Sequence, residues 1–228
     1  MRARVPSKVA SEKSPWQESA VEKSVLEKPA LQHLRAHLKQ ARSMCARHET
    51  VLSSGVAELD ALFARAVRPG NIIEWGIPQG SNGRVIPLLF LRHNDVPAVW
   101  IYGDPQLQVY APAWAGYGVD LRRLFFIQSA EPVKQLRPLF LDNSFHIIVV
   151  DAPASMSRGE LAFISSQARH NNQVIFLLRN YFLSQNRGTA LAAARVNCWQ
   201  NTHGSHSVNF IKGRHVKKIQ LQMPALIP

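Results

Sequence analysis

The apolar positions of this chain fall into two rhythms. Near the start, Leu31, Leu34, Leu38, Ala41 and Cys45 recur at alternating intervals of three and four residues, with Arg35, Lys39 and Arg42 on the other faces. That spacing predicts an amphipathic helix within residues 28–50. Pro29 suits its first turn, where a missing N–H costs nothing. The narrow apolar seam fits either of two roles, packing on the chain's own domain or docking a partner helix. Residues 1–27 are polar, contain Pro6 and Pro15, show no periodicity and read as a disordered tail.

From Val51 onward the rhythm changes. Runs of strand length recur at Ile72–Trp75, Ala98–Tyr102, Leu124–Gln128, Phe145–Val150 and Gln173–Leu178. Segments of helical character separate them. One carries Val56, Leu59 and Leu62, with Ser53 or Ser54 as its cap. Another opens after Gly83 and tolerates Pro87 in its first turn. A third spans Gln106–Tyr117, and a fourth spans Glu131–Leu141, bent at Pro138. A fifth starts from the capping box Ser157–Glu160 and carries Leu161, Ile164 and Ala168. Strands apolar on both faces and joined through helices predict an α/β fold over residues 51–228, a mostly parallel sheet flanked by helices. After Gly188 a short Ala-rich helix is expected, then a strand at Val196–Trp199. Val208 and Phe210 precede Lys212-Gly213-Arg214, and Ile219 and Leu221 follow it, so a C-terminal antiparallel hairpin is expected.

Candidate chemistry concentrates in Asn71–Phe90. An apolar strand runs into a loop holding Gly76, Gly80 and Gly83, and a second apolar run follows. Strand, glycine-rich loop and helix are the parts that cradle phosphates. The pattern G-x-x-x-x-G-K-[ST] is broken here, because Arg84 stands for the Lys and Val85 for the Ser or Thr. In an open parallel sheet, ligands bind at the carboxyl ends of strands. Asp104, just after the strand ending at Tyr102, and Asp151, at the end of the most apolar strand, both fall there.

Composition changes the picture in one respect, charge. The net charge is +12, and after Glu160 the chain has no Asp or Glu at all. That last stretch carries Arg169, Arg179, Arg187, Arg195, Lys212, Arg214, Lys217 and Lys218. A field of one sign attracts polyanions, with nucleic acid the first candidate, although a basic surface also serves solubility or docking on an acidic protein. No run approaches eighteen apolar residues, so no membrane span is expected. The N-terminus has no apolar core after its charges, so no secretory signal is expected. Cys45 and Cys198 stand alone, which fits a reducing cytoplasm, and no His or Cys spacing predicts a metal site.

The sequence of parts GVAELDALF, RPGNIIEWGIPQGSNGRV, AVWIYGDPQLQVYAPAWAGYGVDLRRLFFIQ, FHIIVVDAPAS and QVIFLLRN resembles the RecA recombinase core over roughly Val51–Met223. Within that superfamily, the short length, the basic N-terminal helix and the altered loop look most like the ImuA family, with SulA-type division inhibitors as near neighbours. The resemblance implies a non-catalytic accessory protein of SOS-induced translesion DNA synthesis, cytoplasmic and nucleoid-associated. Its implied partners are a Y-family-like polymerase subunit of ImuB type, RecA, an error-prone DNA polymerase and DNA itself. Two alternatives stay open: a SulA-like inhibitor of the division GTPase, and a weak ATP-dependent DNA-binding protein.

Residue by residue, the family's phosphate loop maps to Gly76–Val85, the carboxylate that positions water to Asp104, and the Mg²⁺-associated carboxylate to Asp151. Arg179 stands where RecA has a phosphate-sensing Gln. The two DNA-binding loops map to Ala152–Ser157 and Asn180–Gly188, both shortened. Arg179 and Arg187 thus fall on the family's DNA-binding face. With Lys212, Arg214, Lys217 and Lys218 they are the candidate nucleic-acid or partner contacts. Losing one transition-state contact typically costs about 10²–10³ in rate, so negligible ATP turnover is expected. No ATP or Mg²⁺ cofactor is expected, with residual anion or nucleotide binding at the loop as the open alternative.

Overall fold

The computed structural model describes residues 51–222 apart from 65, 105–108 and 214–215, together with Ala36, which is helical. The expected tail, all but Ala36 of the N-terminal helix, and Arg214 lie outside the described residues. Six strands run parallel: β1 (Ile72–Gly76), β2 (Ala98–Tyr102), β3 (Leu124–Gln128), β4 (Ile147–Asp151), β5 (Val174–Arg179) and β6 (Ala194–Gln200). Then β7 (His206–Lys212) and β8 (Lys218–Leu221) fold back antiparallel, giving one eight-stranded sheet ordered β3-β2-β4-β5-β1-β6-β7-β8. The C-terminal hairpin pairs Val208 with Ile219, as the alternation predicts.

Helices α1 (Ala57–Phe63), α2 (Val85–His93) and α3 (Ala111–Gly116) cover one face of the sheet. The other face carries α4 (Pro132–Gln135), α5 (Arg137–Leu141) and α6 (Arg158–His170). Strands β1 and β4 are buried along their whole length, as strands between two helical layers must be. On the first face Phe63 meets Trp75, Phe90 and Phe210 at centroid distances of 5.3, 5.5 and 4.8 Å. Tilted and edge-on contacts of this kind contribute about 0.5–1.5 kcal/mol each beyond burial. They tie α1 and α2 to both β1 and the C-terminal β7.

Several local expectations change. Glu131–Leu141 is two helices, broken at Leu136. In one continuous helix the ring of Pro138 would clash with the carbonyl of residue 134, and restarting at Arg137 moves Pro138 into a first turn. Neither Ser53 nor Ser54 caps α1, because Val56 is the cap residue. Asp60 instead turns back and accepts from the Ser53 hydroxyl at 2.6 Å and from the Ser54 N–H and hydroxyl, both at 2.7 Å. The capping box of α6 forms as predicted, with Ser157 accepting from the Glu160 N–H. No helix forms between Gly188 and β6. The Thr189 N–H goes to Glu74 Oε2, and Lys212 Nζ binds the carbonyls of Ala190 and Ala192, so side chains take the backbone groups a helix would use.

Candidate functional site

At the carboxyl end of β1 the chain runs from Gly76 through an eight-residue loop before α2 starts at Val85. Gly76 and Gly83 are buried, and Gly80 sits exposed at the loop tip. A Cβ on Gly83 would lie 2.3 Å from the carbonyl oxygen of Cys198, so only glycine lets the loop rest on β6. The contact is fastened from both sides. The Gln200 N–H donates to Ser81 at 2.7 Å, and the Asn82 amide donates to Gln200 Oε1 at 3.0 Å. Loop amides are also spent inside the protein, Ile77 on the Arg179 carbonyl and Ser81 on the Pro78 carbonyl. The loop is a packed turn between two strand ends.

Arg84 closes the site. Its Nε donates to Asp151 Oδ2 and its Nη2 to Asp151 Oδ1, each at 2.8 Å, a two-pronged ion pair between the start of α2 and the end of β4. The Asp151 side chain has no exposed surface, while that of Arg84 keeps 24%. From β2 the indole of Trp100 donates to Asp151 Oδ2 at 3.1 Å. Register explains the meeting. Tyr102 pairs with Asp151 across β2 and β4, and Trp100 lies two residues earlier on the same face. Three donors therefore occupy a carboxylate with about four lone-pair sites. A magnesium–nucleotide does not fit these residues: the guanidinium holds the position a cation would take on Asp151, and Val85 has no oxygen to offer one.

A second ion pair lies on the opposite face of the sheet. Glu74, fully buried in the middle of β1, accepts from Arg179 Nε at 2.9 Å and from the Thr189 N–H at 2.6 Å. A carboxylate taken this far from water requires such partners. Arg179 is 12% exposed, its side chain laid against Glu74. With Gly103, Asp104, Ser155, Tyr181 and Thr189 the pair lines a cavity of about 560 Å³ across the ends of β2, β4 and β5. Strand β2 hands on to β3 on one side and β4 to β5 on the other, so the cavity borders a topological switch point. Asp104 lines this cavity, while the Asp151 carboxylate meets Arg84 on the other face of the sheet.

The segment between β5 and β6 is strapped down by polar side chains. Asn197 exchanges hydrogen bonds with the N–H and carbonyl of Leu183, at 2.8 and 3.0 Å. Arg195 Nη1 donates to the Ser184 and Gln185 carbonyls at 2.9 and 3.1 Å. Gly188 has φ +147°, and a Cβ there would lie 2.7 Å from Arg195 Cδ and 2.8 Å from Glu74 Oε2. The basic candidates divide accordingly. Lys212 is spent on the Ala190 and Ala192 carbonyls, and burial pulls its ammonium below the ordinary lysine range. Arg187, Lys217 and Lys218 are exposed. Burial pushes the Cys198 thiol up, which makes it inert at neutral pH.

No family profile matches the chain, and no curated protein matches it. Among the described residues no helix is long and apolar enough to cross a membrane. Sequence reasoning missed Glu74 and Trp100. Glu74 carries a usable signal, since a carboxylate inside the apolar run Ile72–Trp75 must find a cation. Trp100 gives none, because its role depends on which strand lies beside β4.

Proposed function

We propose that this chain is a RecA-like accessory protein of damage-induced translesion synthesis, one that keeps the shape of a nucleotide-driven core and does not turn over ATP. One observation carries the reading: Arg84 lies on Asp151 as an internal cation, where a nucleotide-hydrolysing fold needs Asp151 available to a metal's water shell. A central β1 followed by the glycine loop, and a buried β4 ending in Asp151, support the RecA likeness. A domain of that shape offers a subunit-like surface to a RecA filament or to a polymerase subunit of Y-family type, in the cytoplasm at the nucleoid. With Arg84 fixed, such a surface is present with or without nucleotide.

The test uses the purified full chain. ATP with Mg²⁺ is expected to leave the melting temperature unchanged and to yield no phosphate above background with single-stranded DNA present. The chain is also expected to sediment with preformed RecA filaments or to be retained by the polymerase subunit. Phosphate release at RecA-like rates, or failure to associate with either partner, would overturn the reading.

A further inference from the structure

At the other end of the sheet, where β1 and β5 begin, a cleft of about 550 Å³ opens between the turn leading into β1 and the end of α6. Arg68, Gly70 and Asn71 line it from the turn, and Arg169 and Asn172 line it from the end of α6. Val51, where the chain enters the domain, completes the wall. A concavity of that size falls in the range of small-molecule sites. Its floor is built before any ligand arrives. The Asn71 N–H donates to the Arg68 carbonyl at 3.2 Å and closes the turn, while the Asn71 amide donates to the Ala66 carbonyl at 2.8 Å. The Gly70 N–H donates to the Gln173 carbonyl at 2.8 Å and ties the turn to the residue before β5.

The two arginines come from different elements, and both are exposed. The Arg169 stem lies along Gly70, whose φ is +88° and where a Cβ would come within 3.4 Å of Arg169 Cγ. Its Nη2 donates to Ser165 Oγ at 3.0 Å, which holds the guanidinium beside the cleft. Among the described residues no carboxylate pairs with Arg68 or with Arg169. Beyond Glu160 the chain has no acid to supply one. Two guanidiniums on a concave site without a counter-charge favour an anionic ligand. No aromatic ring lines the cleft among the described residues, so a nucleic-acid base finds nothing there to stack on.

We propose that this cleft binds carboxylate groups between Arg68 and Arg169. A guanidinium grips a planar carboxylate through two parallel N–H bonds. The cleft is larger than a single inorganic ion needs, so a small organic acid with two or three carboxylates fits it, one for each arginine. The exposed Asn172 amide offers further donors beside them. The chain itself holds a second source of the same group. Glu49, outside the described residues, stands two positions before Val51 and is the only carboxylate between Glu27 and Glu58. The proposal does not depend on the accessory reading above, since it concerns the end of the sheet away from Arg84 and Asp151.

Isothermal titration of the full chain with citrate at low ionic strength tests it. Binding is expected, with a rise in melting temperature, because a ligand held only by the native state stabilises that state. Arg68→Ala is expected to lower affinity about ten- to a hundredfold, the range for a hydrogen bond to a charged group. Arg169→Gln keeps most of the stem against Gly70 and is expected to do the same. Arg158→Ala removes an equal charge from the other end of α6 and is expected to leave affinity nearly unchanged. All three positions are exposed, so melting temperatures close to the parent's without citrate serve as the folding control. If Glu49 already fills the cleft, citrate binds only in Glu49→Gln, and that binding depends on Arg68 in the same way. Absence of binding in both the parent and Glu49→Gln overturns the proposal. So does unchanged affinity in Arg68→Ala, or an equal loss in Arg158→Ala, which would reduce the effect to net charge.

Discussion

At position 84 a guanidinium lies against a carboxylate that has no exposed surface. Breaking a buried pair from one side leaves a charge without solvent or counter-ion, typically costing 3–5 kcal/mol, whereas replacing both members by apolar groups is often neutral. Urea unfolding should therefore show Arg84→Met destabilised by about 3–5 kcal/mol. The double variant Arg84→Met with Asp151→Leu should recover most of that loss, less the hydrogen bond of the Trp100 indole. A single variant indistinguishable from the parent would mean that the pair does not hold α2 to β4. Arg84 itself was legible as a departure from the phosphate-loop pattern. That it reaches Asp151 was not, because 67 residues separate them.

Among elements, the loop between β1 and α2 depends on close approach to β6. Gly83→Ala brings a Cβ to 2.3 Å from a backbone carbonyl that cannot rotate away. Either the loop or β6 must shift, a cost of about 1–3 kcal/mol by analogy with overpacked cores. Gly116→Ala is the matched control: it ends α3, and its Cβ would meet nothing within 4 Å. A calorimetric melt should show a clear drop for the first and no loss for the second. Equal melts would place the Gly83 loop free of β6. Strands and the capped α6 were readable from period and capping residues because those signals are local. An interruption of Glu131–Leu141 was legible from Pro138, though not that it falls at Leu136. The missing helix after Gly188 and the reversed role of Ser53 and Ser54 were not legible, because each was decided by Glu74, Lys212 or Asp60 acting on backbone elsewhere.

For the whole molecule, two effects make acid harmful in the same direction. His206 is buried, and burial lowers its pKa from 6.5 against the opposing pull of the Asn82 backbone. The unfolded chain therefore binds a proton that the native state refuses, so stability falls as pH drops below 6.5 and continues to fall toward the lower native value. A net charge of +12 adds self-repulsion that grows as carboxylates and histidines protonate. Melting temperature should decline between pH 7 and pH 5. Added salt should restore the repulsive share alone, and His206→Phe should remove the histidine share at any salt concentration. A flat profile for the parent chain would contradict both effects.

By itself the sequence determined the α/β class, the parallel strands, the C-terminal hairpin, a glycine-rich loop that departs from the phosphate-loop pattern and the acid-free basic end. All of these are written in local period, in a contiguous motif or in plain charge, none of which needs a distant partner. Only the tertiary structure decided that Arg84 pairs with Asp151, that Arg179 is committed to Glu74, and that no helix among the described residues covers one face of β6–β8. Those outcomes depend on strand order and register, which are set when the sheet closes. Side chains far apart in the chain then share one face, and a buried charge settles on whichever partner the fold brings within reach.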